Sequence, residues 1–223
     1  MEQCVRMRVP LLNRPTVLPR GYLGCAALVA LLGIASVAGV GATALAASSR
    51  QPVLHGDVVW PPGKRRAPPF ALRDQRGARV SLSGERGRVV MLTFMYSRCR
   101  QVCPIEGRLL AAVERRLGRS TRALLLVVSV DPGGDTPTAI RHFIVRAGLT
   151  GARLRWLVGS RRQLKPVWRA YRIHVQAGRD IGHSSALYLI DRHGYERAGY
   201  AVPFLPNLVA ADVRTLAAER ASK

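Results

Sequence analysis

Two uncharged runs, Val89–Tyr96 (VVMLTFMY) and Ala123–Val130 (ALLLVVSV), constrain the fold of this 223-residue chain more than any other feature. Apolar residues stand at successive positions in both, not only at alternate ones. That is the signature of a strand buried on both faces, the usual condition of parallel strands. Between them lies segment 97–122, in which Leu109, Leu110, Val113 and Leu117 share one face of a helix from about Pro104 to Leu117. Strand, helix and parallel strand in that order form a crossover unit, with helices packed on a sheet.

The flanking segments extend this unit. Phe70–Leu72 and Arg79–Leu82 enclose the turn sequence Asp74-Gln75-Arg76-Gly77. Asp135-Thr136-Pro137 has the form of a helix start, with Asp135 as the expected cap and Gly148 as the stop. Leu154–Val158 reads as a strand and Ser160–Tyr171 as a helix opened by a serine cap. Ala186–Ile190 and Tyr195–Tyr200 are strands joined by Asp191-Arg192-His193-Gly194, and Asn207–Arg220 is an amphipathic closing helix. The expected order is β-β-β-α-β-α-β-α-β-β-α, an α/β chain with a central mixed sheet flanked by helices. A central strand, a cysteine pair and a helix beginning at the second cysteine make the pattern thioredoxin-like.

The N-terminal part is different in kind. Residues 1–22 form a basic stretch with Arg6, Arg8, Arg14 and Arg20 against Glu2, expected to stay cytoplasmic. Residues 23–47 contain no charge and are long enough to cross a hydrocarbon core of about 30 Å, so a transmembrane anchor is expected. A cleaved signal is the competing reading, since Ala44-Leu45-Ala46 has a small-x-small pattern, but the run exceeds the usual signal length. Residues 48–67, with Pro52, Pro61 and Pro62, are read as a proline-rich tether, and 68–223 as the folded domain. The working domain then lies on the extracytoplasmic, periplasmic side of a bacterial-type cytoplasmic membrane, held by a single pass. The formal net charge of +22 would suit a nucleic-acid binder, but 32 of the 35 basic residues are arginine and no basic tract is clustered. An exported location and a composition rich in Ala, Gly and Val argue against nucleic acid as a partner.

Of four cysteines, only Cys99 and Cys103 fall in the domain. In the order C-x-x-x-C-P they stand at a helix start, where the helix dipole and the neighbouring Arg98 and Arg100 favour thiolate. Sulfurs four residues apart at a turn can share a metal ion or, in the oxidised state, form a Cys99–Cys103 disulfide. A staple across so short a loop would contribute only roughly 2 kcal/mol, which makes a purely structural disulfide the weaker reading. His183, in Gly182-His183-Ser184-Ser185 directly before a strand, faces the cysteine loop in a thioredoxin-like layout. Redox thioredoxins carry a proline at that position. Two thiolates and an imidazole suit copper, as Cu(I) or Cu(II), better than structural zinc, which takes a fourth ligand. His55, His142, His174 and His193 fall in the tether, a helix, a strand edge and a hairpin, and none is expected as a ligand.

Four segments, TFMYSRCRQVCP (93–104), SVDPGGDTP (129–137), VGSRRQLKPVWRAYRI (158–173) and GHSSALYLIDRHG (182–194), together resemble the Sco/SenC family over about residues 68–220. The resemblance implies a membrane-tethered, thioredoxin-fold copper protein that assists assembly of the binuclear copper centre of cytochrome c oxidase. It implies Cys99, Cys103 and His183 as copper ligands and Asp131 as a supporting residue near the metal, although Asp131 before Pro132 is equally suited to forming a turn. Its implied partner is the copper-bearing oxidase subunit, alongside other periplasmic copper or thiol proteins. Two departures stand out: Arg100 where the family commonly has proline, and Tyr96-Ser97 where it often has tyrosine-threonine.

Three functions from different classes follow. A copper metallochaperone would bind and hand over the ion without being an enzyme. A thiol–disulfide oxidoreductase would use Cys99 as nucleophile and Cys103 as resolving thiol to keep partner cysteines reduced. A peroxidase on the same fold is disfavoured, because the Pro-x-x-x-Thr-x-x-Cys context before Cys99 is missing. His183 separates the first two, since exchange chemistry needs no ligand there.

Overall fold

The computed structural model describes residues 53–176 and 181–219. In chain order its strands are β1 (Val58–Val59), β2 (Ala71–Asp74), β3 (Arg79–Ser81), β4 (Val89–Met95), β5 (Ala123–Ser129), β6 (Leu154–Val158), β7 (Val175–Gln176), β8 (Gly182–His183), β9 (Ala186–Ile190) and β10 (Glu196–Ala201). The helices are α1 (Val102–Leu117), α2 (Pro137–Arg146), α3 (Arg161–Ala170) and α4 (Pro206–Ala218).

The two uncharged runs are neighbours at the centre. β4 and β5 pair in parallel from Val89 opposite Ala123 to Met95 opposite Ser129, and every residue of both is buried. β6 adds a third parallel strand beside β5, while β9 lies antiparallel on the other side of β4. The full order is β1-β10-β9-β4-β5-β6-β2-β3, a mixed eight-stranded sheet. This agrees with the expected α/β, thioredoxin-like arrangement.

Alternation across the pleat sends neighbouring residues to opposite layers. On one face Thr93 of β4 bonds Glu106 of α1, and Trp156 of β6 packs edge-on against Phe143 of α2 at 5.3 Å between ring centroids. Gly107 is where α1 and α2 meet: a Cβ there would stand 2.8 Å from the Cβ of Ala147 and 3.2 Å from the Phe143 ring. On the other face Phe94 packs against Tyr171, at the end of α3, at 5.6 Å. Both tryptophans in this core have their N–H satisfied, Trp156 by Asp135 (3.0 Å) and Trp168 by the carbonyl of Ser129 (2.9 Å).

Three expectations change. The segment 48–67, read as a tether, is folded onto the domain from at least Leu54. Leu54 is buried, His55 bonds Asp212, the Asp57 carboxylate accepts the Ala201 N–H, and β1 pairs with β10. Proline excludes helix there but leaves an extended chain free to lie along a sheet edge. Second, the cap of α2 is Thr136, whose hydroxyl accepts the Ala139 N–H, while Asp135 turns inward. Third, β7 and β8 form a separate two-stranded ribbon that carries His183. The apolar run 23–47 lies outside the described residues; among those described, no helix is long and apolar enough to cross a membrane.

Candidate metal centre

The parallel strands β4 and β5 end side by side, and the loops that leave them build the site. After Met95 the chain turns sharply, with the Cys99 N–H donating to the carbonyl of Tyr96 at 3.3 Å. The turn is pinned from below by Asp135, which accepts the Ser97 N–H at 2.7 Å and the Trp156 indole N–H through its second oxygen. Helix α1 then begins at Val102, and Gln101 at its cap position offers no capping bond. The Cys99 sulfur takes that place, accepting the Cys103 backbone N–H at 3.4 Å. Both cysteines are buried free thiols.

This arrangement makes the two sulfurs unequal. Hydrogen bonding from the Cys103 thiol, then from the backbone of Cys103 and Gln101 and from Tyr96, holds Cys99 as a thiolate and pulls its pKa down to about 5, against the opposing effect of burial. Cys103, completely buried and donating to that thiolate, is pushed upward. The expected contribution of Arg98 is absent, because Arg98 is directed at Asp131 instead.

His183 enters from the β7–β8 ribbon. Its Nε2 lies 3.8 Å from the Cys103 sulfur, and its Nδ1 lies 3.1 Å from the carbonyl of Ser184. A carbonyl can only accept, so Nδ1 carries the proton and Nε2 turns its lone pair toward the sulfurs. Burial lowers the His183 pKa and keeps the ring neutral, the form a metal requires. The ring also packs edge-on against Tyr96 at 5.8 Å.

Asp131 follows β5 as expected but is committed elsewhere. One oxygen accepts both Nε and Nη2 of Arg98, at 3.2 and 2.8 Å, and the other accepts the Gly134 N–H at 2.8 Å. Its turn-forming role is therefore visible, and no hydrogen bond joins it to the three donors among the described residues. Gly134 is required for this closeness, since a Cβ there would collide with both Asp131 and the Arg98 guanidinium.

Sequence reasoning passed over one buried carboxyl. Glu106, one turn beyond Cys103, is wholly buried and bonded to Thr93, and its second oxygen has no partner. Burial pushes its pKa up to about 7, with a smaller rise from the neighbouring Cys99 charge. The signal was present: a glutamate on the same inward stripe as Cys103, Leu110 and Val113 cannot face water.

The structure thus brings Cys99, Cys103 and His183 together, two sulfurs and a neutral imidazole nitrogen. Among the described residues no group of three such donors is already spaced to hold a metal ion. Soft thiolates with an imidazole are the donor set that copper prefers.

Known proteins match this frame. The family model described as SCO1/SenC matches residues 61–218. The mitochondrial SCO2 homolog of Bos taurus is 33% identical over 135 residues, covering 56% of this chain and 50% of its own length. The chain therefore spans about half the length of that curated relative. Bradyrhizobium japonicum ScoI, solved with copper bound, is 26% identical with a TM-score of 0.60, covering 68% of this chain and 99% of that one. The fold also matches BsSco, described as a member of the Sco family of cytochrome c oxidase assembly proteins, at 20% identity and a TM-score of 0.61, covering 75% of this chain and 99% of that one. With 158 consecutive residues matched by the family model and the cysteine–histidine geometry in place, the chain belongs to the SCO1/SenC family.

Proposed function

We propose that this protein is a copper metallochaperone that holds the ion as cargo between Cys99, Cys103 and His183. It would pass the ion to the copper-bearing subunit of cytochrome c oxidase by ligand exchange. The observation that carries this reading is the His183 Nε2 lone pair, 3.8 Å from the Cys103 sulfur, with its ring held by the Ser184 carbonyl. A protein built only for thiol exchange has no use for a neutral imidazole placed in that way. The copper-bound ScoI relative supports the same cargo. Residues 23–47 would anchor the chain in the cytoplasmic membrane by a single pass and place the domain on the extracytoplasmic side. Asp131 would support the site through Arg98, by holding the loop that carries Cys99.

The test is copper titration of the reduced full chain. One ion per chain is expected, and His183→Ala should weaken binding at least about a hundredfold, since loss of even an outer partner of a ligand costs 10–100-fold. Equal binding by the variant would refute the ligand set.

A second reading is favoured by one observation, the Cys103 backbone N–H donated to the Cys99 sulfur at 3.4 Å, which favours Cys99 as a thiolate. In a thiol–disulfide oxidoreductase Cys99 would attack a partner disulfide, forming a mixed disulfide and releasing one partner thiolate. Cys103 would lose its proton and attack the Cys99 sulfur, releasing the second partner thiolate. The Cys99–Cys103 disulfide left behind carries the two electrons given up. This activity would survive His183→Ala, which separates it from metal transfer.

A further inference from the structure

A second concave site lies at the opposite end of the sheet, where β4, β5 and β6 begin. It is a cleft of about 940 Å³ between the β2–β3 turn and the segments 86–88, 122–124 and 152–155. Six arginines line it: Arg76, Arg86, Arg88, Arg122, Arg153 and Arg155. Asp74 is the single acidic residue of the lining and is bound to Arg155 at 3.0 Å. Arg88 is paired with Glu85, which stands outside the cleft, at 3.3 Å.

The remaining four guanidinium groups have no carboxylate ion pair among the described residues. Two of them are fixed without being neutralised. Arg153 is bonded to the carbonyls of Gly118, Arg119 and Thr121, and Arg86 to the carbonyl of His193 at 2.9 Å. Carbonyl bonds restrict a side chain without forming an ion pair, so these groups are held in place ahead of binding. The Arg153 charge is also felt by Glu114, which accepts the Arg153 backbone N–H at 3.5 Å and stands outside the cleft lining. Arg76 and Arg122 make no side-chain hydrogen bond to any described residue. Folding does not require them there, and their mutual repulsion with the other four opposes it.

We propose that this cleft is a binding site for a compact, multiply charged phosphate anion, either free or as the headgroup of an anionic lipid. Guanidinium forks match phosphate oxygens, and several of them around one cleft favour more than one negative charge on the ligand. The lining holds no aromatic residue on which a base could stack. Its apolar side chains are limited to Ala78, Ala123, Leu124, Ala152 and Leu154, too few to take an acyl chain. The seven residues of β4 separate the cleft from the cysteine loop by roughly 20 Å, so its occupancy is independent of the copper reading.

The test is calorimetric titration of the full chain, in neutral detergent at low salt, with inorganic pyrophosphate. One site of sub-millimolar affinity is expected, weakened at least about tenfold by Arg86→Ala with Arg122→Ala. Arg162→Ala with Arg169→Ala, on the exposed side of α3, should leave it unchanged. Arg122→Glu alone should abolish the binding heat, and because that side chain bonds no described residue, the melting temperature should stay unchanged. Repeating the titration in micelles containing cardiolipin, whose headgroup carries two phosphates, identifies the source. Loss of pyrophosphate binding there assigns the cleft to a lipid headgroup, and retention assigns it to a free anion. No saturable binding, equal weakening by the α3 variants, or tighter binding of an oligoglutamate peptide than of pyrophosphate would overturn the proposal.

Discussion

The inequality of the two thiols can be measured directly. Cys99 is held near pKa 5 chiefly by donation from the Cys103 thiol, so the perturbation is Cys103→Ala and the assay is alkylation of Cys99 in the reduced chain as a function of pH. A thiol of pKa 5 is about 10% ionised at pH 4 and about 90% at pH 6, so the rate should rise roughly tenfold over that interval and then stay level to pH 8. An ordinary thiol near 8.5 would instead rise about seventyfold between pH 6 and pH 8. The absolute rate at pH 7 is a poor criterion. Thiolate occupancy gains about thirtyfold, but with a Brønsted slope of about 0.45 the lower basicity loses a similar factor in nucleophilicity. The midpoint is therefore the quantity to read. In Cys103→Ala it should move up by more than one pH unit, because the strongest donor is gone while burial, which opposes the charge, remains. A parent profile still climbing through pH 8, or a midpoint unmoved by Cys103→Ala, would refute the reasoning.

Other consequences concern stability. Glu106 has its folded pKa raised to about 7 from an ordinary 4.5, so its protonated form favours folding below about pH 4.5 and that contribution is lost as pH rises through 7. Replacing it in Glu106→Gln should stabilise the copper-free chain at pH 8 relative to pH 4.5, by on the order of 3 kcal/mol compared with the parent. The difference between the two proteins must be read by denaturant titration, because Cys99, with its pKa depressed, contributes the opposite slope over part of the same range. Asp135→Ala leaves the Ser97 amide and the Trp156 indole N–H without their acceptor, a loss of about 2–4 kcal/mol that thermal unfolding should register as a drop of roughly 5–15 °C. Gly134→Ala should lower the melting temperature by several degrees through its collision with the Asp131–Arg98 pair, whereas Gly133→Ala, whose Cβ would find its nearest neighbour at 3.9 Å, should be close to neutral. Equal effects of the two glycine variants would contradict the packing described.

The sheet was legible because its central strands announce themselves: VVMLTFMY and ALLLVVSV can satisfy their side chains only when covered on both faces, and that is where they lie. The candidate site was legible for a related reason, as two cysteines and a histidine at one end of a thioredoxin-like sheet have few roles. What escaped depended on pairings distant in sequence. Asp135 and Thr136 are adjacent and both can cap a helix; the choice between them was made by Trp156 and Ser97, 21 and 38 residues away. Arg98 looked like a neighbour of the thiols, yet Asp131 is the stronger attraction. Residues 54–67 have the composition of a spacer, and the free edge of β10, with Asp212 of α4 holding His55, turns them into part of the fold. Glu106 was missed because a charged residue is taken for solvent-facing unless the helix stripe is followed position by position.

The edges of the sheet carry a last consequence. On one side it ends at β1, two residues long, and on the other at β3, three residues long and carrying the exposed Arg79. Edges so brief offer little template on which another chain can continue the ladder, which protects the domain from edge-to-edge aggregation. They also restrict how a partner can approach. Strand addition at the two ends of the eight-stranded sheet is disfavoured, so a partner of Cys99 is expected end-on, at the loops beyond the C-termini of β4 and β5.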